Sequence, residues 1–200
     1  MKTLNAGVRY VALVAAVLLL AMASARAQAV VERLSVPGPV QFGNETFVLA
    51  WSSNPAPSLY KQEYLPAGEV LEQYRSMFMV DVVLDGVAPA QKALQMVESL
   101  KARKASDPVV NYEIVVNGAG DMIVLDFVMS APGADGRLIV EWNAYRYEPY
   151  AGGSVLTAIS RRAYGEEVDD FLRNRLRSLR TAEVATLSAM PSLGAKIIER

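Results

Sequence analysis

The spacing of apolar and polar residues changes period along this chain. In residues 47–53 the large side chains of Phe47, Leu49 and Trp51 stand at every second position, which places them on one face of a β-strand. Residues 89–104 instead repeat their apolar positions at helical spacing, and Pro89 suits the first turn of a helix. From residue 109 the two-residue period returns and persists to residue 164. The pattern therefore predicts strands, then helix, then a run of strands.

The last run is interrupted by short links that are rich in glycine. Links of this length and composition predict antiparallel hairpins between neighbouring strands. The strands predicted in this run cover residues 109–116, 122–129, 137–147 and 154–164. Earlier strands are predicted over 30–36, 47–53 and 78–84, an extended piece over 60–65, and helices over 66–77, 89–104 and 166–180.

Together these elements predict an α+β fold with one domain. We expect an antiparallel β-sheet of about five to seven strands with two or three helices packed on it. The domain is expected to span residues 28–187, a length that suits one hydrophobic core. Residues 188–200 are expected to form a loosely ordered C-terminal tail.

The first 27 residues have the layout of a secretory signal peptide. Lys2 and Arg9 give a basic start, residues 10–22 form an apolar run, and Ala25-Arg26-Ala27 fits a cleavage site. The apolar run is shorter than the ~20 residues of a permanent membrane anchor. The sequence therefore predicts a signal peptide over 1–27 and a periplasmic or secreted chain without stable membrane insertion.

Composition narrows the chemistry that the chain can perform. It has no cysteine and no histidine, which excludes disulfides, Cys/His zinc sites, Ser-His-Asp triads and cysteine nucleophiles. Removing the leader leaves 17 basic and 21 acidic residues, a formal charge of −4, which disfavours nucleic-acid binding. We expect no cofactor, no metal and no catalytic residue. Carboxylate pairs, Ser-Lys or tyrosine mechanisms and oxygen-ligated calcium or magnesium stay open.

A candidate ligand site follows from pairing the strands at 122–129 and 137–147. If Ser130 and Arg137 flank the loop as partners, Asp126 lies opposite Glu141, and two facing carboxylates need a cation or a shared proton. Arg161 on the next strand could supply that cation. The predicted ligand-binding residues are Asp126, Glu141, Asn143, Tyr145 and Arg161. The same group could equally be an ion-paired sheet face or a catalytic carboxylate pair, and a slip of one residue would separate the acids.

Two segments also carry a family resemblance. Glu63-Tyr64-Leu65-Pro66-Ala67-Gly68-Glu69 precedes a predicted helix, and a strand over 158–164 precedes another helix over 167–179. This order of elements resembles the PsbP-like α/β/α sandwich proteins across nearly all of the chain after the leader. The resemblance implies a small non-enzymatic accessory or binding subunit, and it identifies neither a partner nor a functional residue.

These observations favour an exported, non-catalytic periplasmic accessory or binding protein. It would act through contacts with an envelope or secreted protein, or through a small polar ligand. One alternative is a cell-envelope hydrolase that uses Asp126 and Glu141, with Arg161 tuning them. The other is a structural component of the envelope.

Overall fold

The computed structural model describes residues 30–118 and 120–198, and its main feature is a single antiparallel sheet of eight strands. The strands are β1 Val40–Phe42, β2 Glu45–Ala56, β3 Leu59–Leu65, β4 Ser76–Val83, β5 Asn111–Val116, β6 Ile123–Pro132, β7 Leu138–Tyr150 and β8 Gly153–Tyr164. Their order across the sheet is β1-β2-β3-β4-β8-β7-β6-β5. The late strand β8 therefore lies at the centre, between β4 and β7.

Two helical segments pack on the sheet, one on each face. Helix α1 spans Pro89–Arg103. The C-terminal helix consists of α2 (Glu167–Asp170), a π-helical turn (Phe171–Arg175) and α3 (Leu176–Ala189). Within the described part of the chain, neither helix is long and apolar enough to cross a membrane.

The alternation of side chains gives the sheet two distinct faces. The α1 face is covered in part by α1, which buries Ala93, Val97 and Leu100 in a cluster with strand residues. The C-terminal-helix face carries the larger core, in which Phe171, Leu176 and Leu187 are buried. The strand residues of the α1-face cluster are Ile123, Leu125, Phe127 and Tyr147, and those of the larger core include Phe78, Val80, Val124, Val140, Trp142 and Ile159.

The predicted count of five to seven strands is wrong, since the sheet has eight. Strand β1 has only three residues, too few for a periodic signal, and the extended piece at 60–65 lies within the full strand β3. The four antiparallel strands predicted from residue 109 onwards correspond to β5–β8, which pair in sequence as hairpins.

The helix predicted over residues 66–77 is also wrong. The chain there forms turns, with the Glu69 N–H donating to the Pro66 carbonyl at 3.1 Å, and β4 already begins at Ser76. Tyr74 and Met77 are buried in a small cluster with Leu65 on the sheet. Tertiary contacts of these side chains therefore outweigh the local helical spacing.

The two ends of the described chain lie together on the C-terminal-helix face. Residues 30–36 are not the predicted strand; the Arg33 and Leu34 N–H groups donate instead to Gln62 Oε1, at 2.5 and 3.1 Å. The C-terminal helix continues past the predicted end at residue 180 to Ala189. The Lys196 and Ile198 N–H groups then donate to the Leu34 and Arg33 carbonyls, both at 2.8 Å. These two bonds connect the predicted C-terminal tail to residues 33 and 34, and the predicted signal peptide lies outside the described residues.

Candidate functional site

The hairpin of β6 and β7 has a different register from the one predicted. Pro132 pairs with Leu138, so the strands continue further toward the loop than the predicted Ser130 and Arg137 partners. Asp126 consequently lies opposite Ala144, three residues beyond Glu141, and Glu141 lies opposite Met129. When the register differs by an odd number of residues, side chains that were expected on the same face of the sheet lie on opposite faces. The predicted Asp126–Glu141 pair is therefore wrong.

The five predicted ligand residues are divided between the two faces. Asp126 lies opposite Ala144 in the ladder, and Arg161 lies opposite Trp142. Because directly opposite residues share a face, Asp126 and Arg161 belong to the C-terminal-helix face. The others belong to the α1 face: Glu141, Asn143 and Tyr145. They therefore do not form one site.

Asp126 lies beneath the C-terminal helix, where a different carboxylate pair exists. Its direct cross-strand partner is Glu113 on β5. Arg180 Nη2 lies 2.6 Å from Asp126 Oδ1 and 3.8 Å from Glu113 Oε2, and Trp142 Nε1 donates to Asp126 Oδ1 at 3.3 Å. Burial raises the pKa of Asp126 above its ordinary value, although Arg180 and Trp142 act in the opposite direction. Arg180 thus lies between two facing carboxylates, Asp126 and Glu113. The sequence predicted such an arrangement for Asp126 and Glu141 with Arg161.

Arg161 holds several elements of the fold together. Its Nε donates to Glu183 Oε2 at 3.0 Å and its Nη2 lies 2.6 Å from Glu183 Oε1, which ties β8 to α3. Its Nη1 also donates to Glu45, at the start of β2, and to Ser76 on β4. The predicted partner Glu141 is on the opposite face and binds Arg162 instead. We therefore assign Arg161 to the stability of the fold.

The three predicted residues of the α1 face make polar and aromatic contacts there. Tyr74 Oη donates to Glu141 Oε2 at 2.8 Å, and the Arg162 guanidinium lies 3.9 Å from the centre of the Tyr74 ring. Asn143 accepts a hydrogen bond from Ser160. The Tyr145 ring packs edge-on against Phe127 at 4.9 Å between ring centres. Glu141 is therefore paired, whereas Asn143 uses only its oxygen, and its Nδ2 is buried without a partner among the described residues. The three residues lie on one face, but these contacts do not bring them together around one ligand position.

A cleft of about 660 Å³ lies between the C-terminal helix and strands β5 and β6. It opens there because the helix docks over the inner strands and leaves the outer strand β5 exposed. Asp126 and Arg180 lie in this cleft. The lining residues are Glu113, Val115, Asp126, Leu172, Leu176, Arg177, Arg180, Thr181, Val184, Ala185 and Ser188.

The π-helical turn determines which residues of α3 face this cleft. The Leu176 N–H donates to the Phe171 carbonyl, five residues earlier, so the turn accommodates one more residue than an α-helical turn. Phe171 and Leu176 are both buried against the core as a result. π-helical turns occur frequently at functional sites. Here the turn aims residues 177, 180, 181, 184, 185 and 188 toward the cleft.

Most of the cleft was not predicted from the sequence. Of its lining residues only Asp126 was a candidate, and Arg177 and Arg180 were placed only within the predicted helix over 166–180. One signal for the cleft is present in the sequence, because residues 177, 180, 181, 184, 185 and 188 recur at helical spacing beside the buried stripe. No cluster of three or more metal-ligating side chains occurs among the described residues.

The fold and the cleft define a protein with one antiparallel sheet and an open cleft under its last helix. A protein-family model matches residues 34–192, so the chain belongs to that family. No curated protein gives a significant match. One similar solved structure is the human StarD13 (DLC2) lipid transfer and protein localization domain, at 15% identity, with 74% of this chain and 90% of that chain covered. Its TM-score of 0.27 is too low for any argument about fold or function.

Proposed function

We propose that this chain is an exported, non-catalytic binding protein whose site is the cleft between β5, β6 and the C-terminal helix. The ligand would be small and amphipathic, with an apolar body and an anionic end. The observation that supports this proposal is the lining of the cleft, which combines apolar walls with arginines at defined positions.

The size and the walls of the cleft suit the body of such a ligand. A volume of about 660 Å³ falls within the range of pockets that hold small organic molecules. Leu172, Leu176 and Val184 on the helix face Val115 on β5 across the cleft. An apolar chain or ring placed between them would lose contact with water on both sides, which favours binding.

One arginine of the cleft, Arg177, can bind an anionic group at one end of the ligand. The other, Arg180, lies 2.6 Å from Asp126 and 3.8 Å from Glu113, so its charge is already paired with carboxylates. Arg177 also lines the cleft, is exposed, and makes no ion pair with any residue in 30–118 or 120–198. A guanidinium binds carboxylates and phosphates with two parallel hydrogen bonds, so Arg177 is the group that would hold the anionic end.

Catalysis by a carboxylate pair has less support. Asp126 and Glu141 lie on opposite faces of the sheet, so they cannot act on one substrate. Asp126 and Glu113 do face each other, but Arg180 lies within 3.8 Å of both and engages them as a salt bridge. The alternative of a structural envelope component differs from our proposal in requiring no ligand.

The proposal can be tested with two fluorescent probes that differ in one charged group. Anilinonaphthalene sulfonate has an apolar body and an anionic group, whereas phenylnaphthylamine lacks the sulfonate. Ala185→Phe fills the cleft and should weaken binding of both probes by about tenfold or more. Arg177→Gln should weaken binding of the sulfonate probe by about tenfold and leave the neutral probe within about twofold, because one charge-assisted contact is lost.

Matched variants on the same helix serve as controls. Ala182→Phe adds the same ring at an exposed position that does not line the cleft, and Arg173→Gln removes an exposed arginine outside it. Both controls should bind the probes like the wild-type chain. Equal effects of Ala185→Phe and Ala182→Phe would contradict the cleft as the site. Ester hydrolysis by the wild-type chain that disappears in Asp126→Asn would contradict the non-catalytic assignment.

Export is supported by the pattern of the first 27 residues, and it has a separate test. Expression of the full chain in a bacterium should yield a processed protein in the periplasm or the medium. Amino-terminal sequencing of that protein should give Gln28 as the first residue. Replacing Ala25 and Ala27 with bulky residues should block processing. Cytosolic protein that retains Met1 would contradict export without affecting the ligand proposal.

A further inference from the structure

Strand β5 forms an open edge of the sheet. It pairs with β6 on one side, and no described residue pairs with its other side. Three consecutive apolar residues on it are exposed: Ile114 by 40%, Val115 by 39% and Val116 by 54%. Natural proteins usually protect such edges with prolines, charged residues or bulges; β5 has no proline, lysine or bulge, and its one charged residue is Glu113. At the opposite edge, β1 covers only residues 45–47 of β2, and the rest of β2 has irregular register and contains Pro55.

The register fixes which backbone groups of β5 face outward. The Asn117 N–H donates to the Met122 carbonyl at 3.1 Å, and this pair continues the β5–β6 ladder. In an antiparallel ladder, hydrogen-bonded and non-hydrogen-bonded pairs alternate. Glu113 and Val115 therefore bond to β6, whereas Tyr112, Ile114 and Val116 direct their N–H and C=O groups to the open side.

We propose that β5 pairs antiparallel with β5 of a second copy of this chain, centred on Ile114. In this register Ile114 lies opposite Ile114 of the second copy, and Tyr112 lies opposite its Val116. All three outward-facing residues of each copy are then hydrogen-bonded. The pairing also brings apolar side chains together on the α1 face, which stabilises a sheet.

Neighbouring registers are less favourable. A shift that places Tyr112 opposite Ile114 of the second copy also sets the two Glu113 carboxylates directly opposite each other, which is destabilising. A shift in the other direction places Ile114 opposite Val116 and leaves Tyr112 beyond the strand end. In the proposed register, Glu113 lies opposite Val115, and no like charges face each other.

The proposed dimer also has a consequence for the cleft. Its two-fold axis is perpendicular to the joined sheet, so both C-terminal helices lie on the same side. Glu113 and Val115 line the cleft of each copy. The two clefts would therefore adjoin at the seam between the copies. The dimer does not depend on the ligand proposal, since it rests on the backbone of β5.

Cysteine cross-linking tests both the pairing and its register, because the chain contains no cysteine of its own. Hydrogen-bonded antiparallel partners have Cα atoms about 5.5 Å apart, within the range of a disulfide. Ile114→Cys should therefore form a disulfide-linked dimer rapidly on mild oxidation. Val115→Cys lies opposite position 113, and Val48→Cys lies on β2 near the other edge of the sheet, away from the proposed seam, so both should link more slowly by at least about tenfold.

Two further variants separate loss of pairing from loss of folding. Ile114→Pro removes an N–H that points to solvent in one copy, so β5 can keep its bonds to β6 while the dimer is lost. Ile114→Lys introduces a charge at the seam, and Val48→Lys is its control. In sedimentation measurements the wild-type chain should be dimeric and both Ile114 variants monomeric with unchanged circular dichroism.

The results that would overturn the proposal are equally specific. The first is a wild-type chain that stays monomeric over about a hundredfold range of concentration. The second is Ile114→Cys linking no faster than Val115→Cys or Val48→Cys. An edge occupied by an extended peptide of another protein, with the chain itself monomeric, would also overturn it.

Discussion

At the scale of single residues, Asp107 shows how one buried carboxylate joins two elements. It lies just after α1 and accepts hydrogen bonds from the N–H and the hydroxyl of Ser130 on β6, both at 2.7 Å. Arg103 Nε also donates to it at 3.0 Å. Burial raises the pKa of Asp107, but the bonds from Ser130 and Arg103 outweigh burial and hold the pKa below its ordinary value of 3.8.

We expect Asp107→Asn to lower the free energy of unfolding by about 1–3 kcal/mol at neutral pH, because it places an amide among groups that need acceptors. Since the pKa of Asp107 is lowered in the folded chain, its contribution is present above pH 3.8 and lost as the pH falls below it. Urea unfolding at a series of pH values checks both points. The exposed control Asp169→Asn should change stability by less than about 0.5 kcal/mol. If the difference in unfolding free energy between wild type and Asp107→Asn stays constant as the pH falls through the acid range, the pKa of Asp107 is not lowered by folding.

Asp126 should give the opposite dependence on pH. Burial raises its pKa above 3.8, so the folded chain binds the proton more tightly than the unfolded chain. This contribution to stability is present below pH 3.8 and is lost as the pH rises through the folded-state pKa. As the pH rises through this pKa, the free energy of unfolding of wild type should fall, whereas that of Asp126→Asn should not. The difference between the two should therefore move in favour of Asp126→Asn. A carboxyl-carbon NMR titration of Asp126 with a midpoint below 3.8 would contradict this sign.

At the scale of elements, the π-helical turn explains how one helix serves both the core and the cleft. The turn takes up one extra residue while the helix on either side keeps its orientation, so Val168 in α2 and Leu187 in α3 are buried in the same core. Deleting the exposed Arg173 should convert the turn to an α-helical one and preserve this docking. We expect the deletion to change stability by about 1 kcal/mol or less.

Deletion of Ala182, an exposed residue in the regular helix α3, is the matched control. It rotates the following residues by about 100° and removes Leu187 from the core, which should cost about 2–5 kcal/mol. Circular dichroism during urea unfolding measures both variants. If deleting Arg173 is as harmful as deleting Ala182, the π-helical turn does not have the role that we assign to it.

The sequence predicted the local elements better than their register. Alternation and glycine-rich links were sufficient for β5–β8, because a half-buried hairpin depends on contacts close in the chain. The register of β6 and β7 failed because β6 continues to Pro132, and a proline at a strand end leaves no signal that distinguishes it from a loop. Since the pairing with β5 ends at Val128, no described strand pairs with the last part of β6 on that side, so Pro132 is tolerated there.

At the scale of the whole molecule, the candidate site arises from how the helix lies on the sheet. Asp126 and Glu113 are cross-strand partners, and Arg180 reaches both from a helix more than fifty positions further along the chain. Spacing within the sequence carries no information about this approach, because it depends on where the core side chains Phe171, Leu176 and Leu187 are buried. Helical spacing in the sequence marks one wall of the cleft, but the cleft itself could be recognised only after the helix was placed on the sheet.

The central claim is that the cleft under the C-terminal helix binds an amphipathic anion. NMR of methyl-labelled protein during titration with anilinonaphthalene sulfonate tests it most directly, because each methyl group reports its own surroundings. We expect saturable shifts at Val115, Leu176 and Val184, with Ala93 and Leu100 on the α1 face unchanged. Saturable shifts on the α1 face while the cleft residues stay unchanged would contradict the claim.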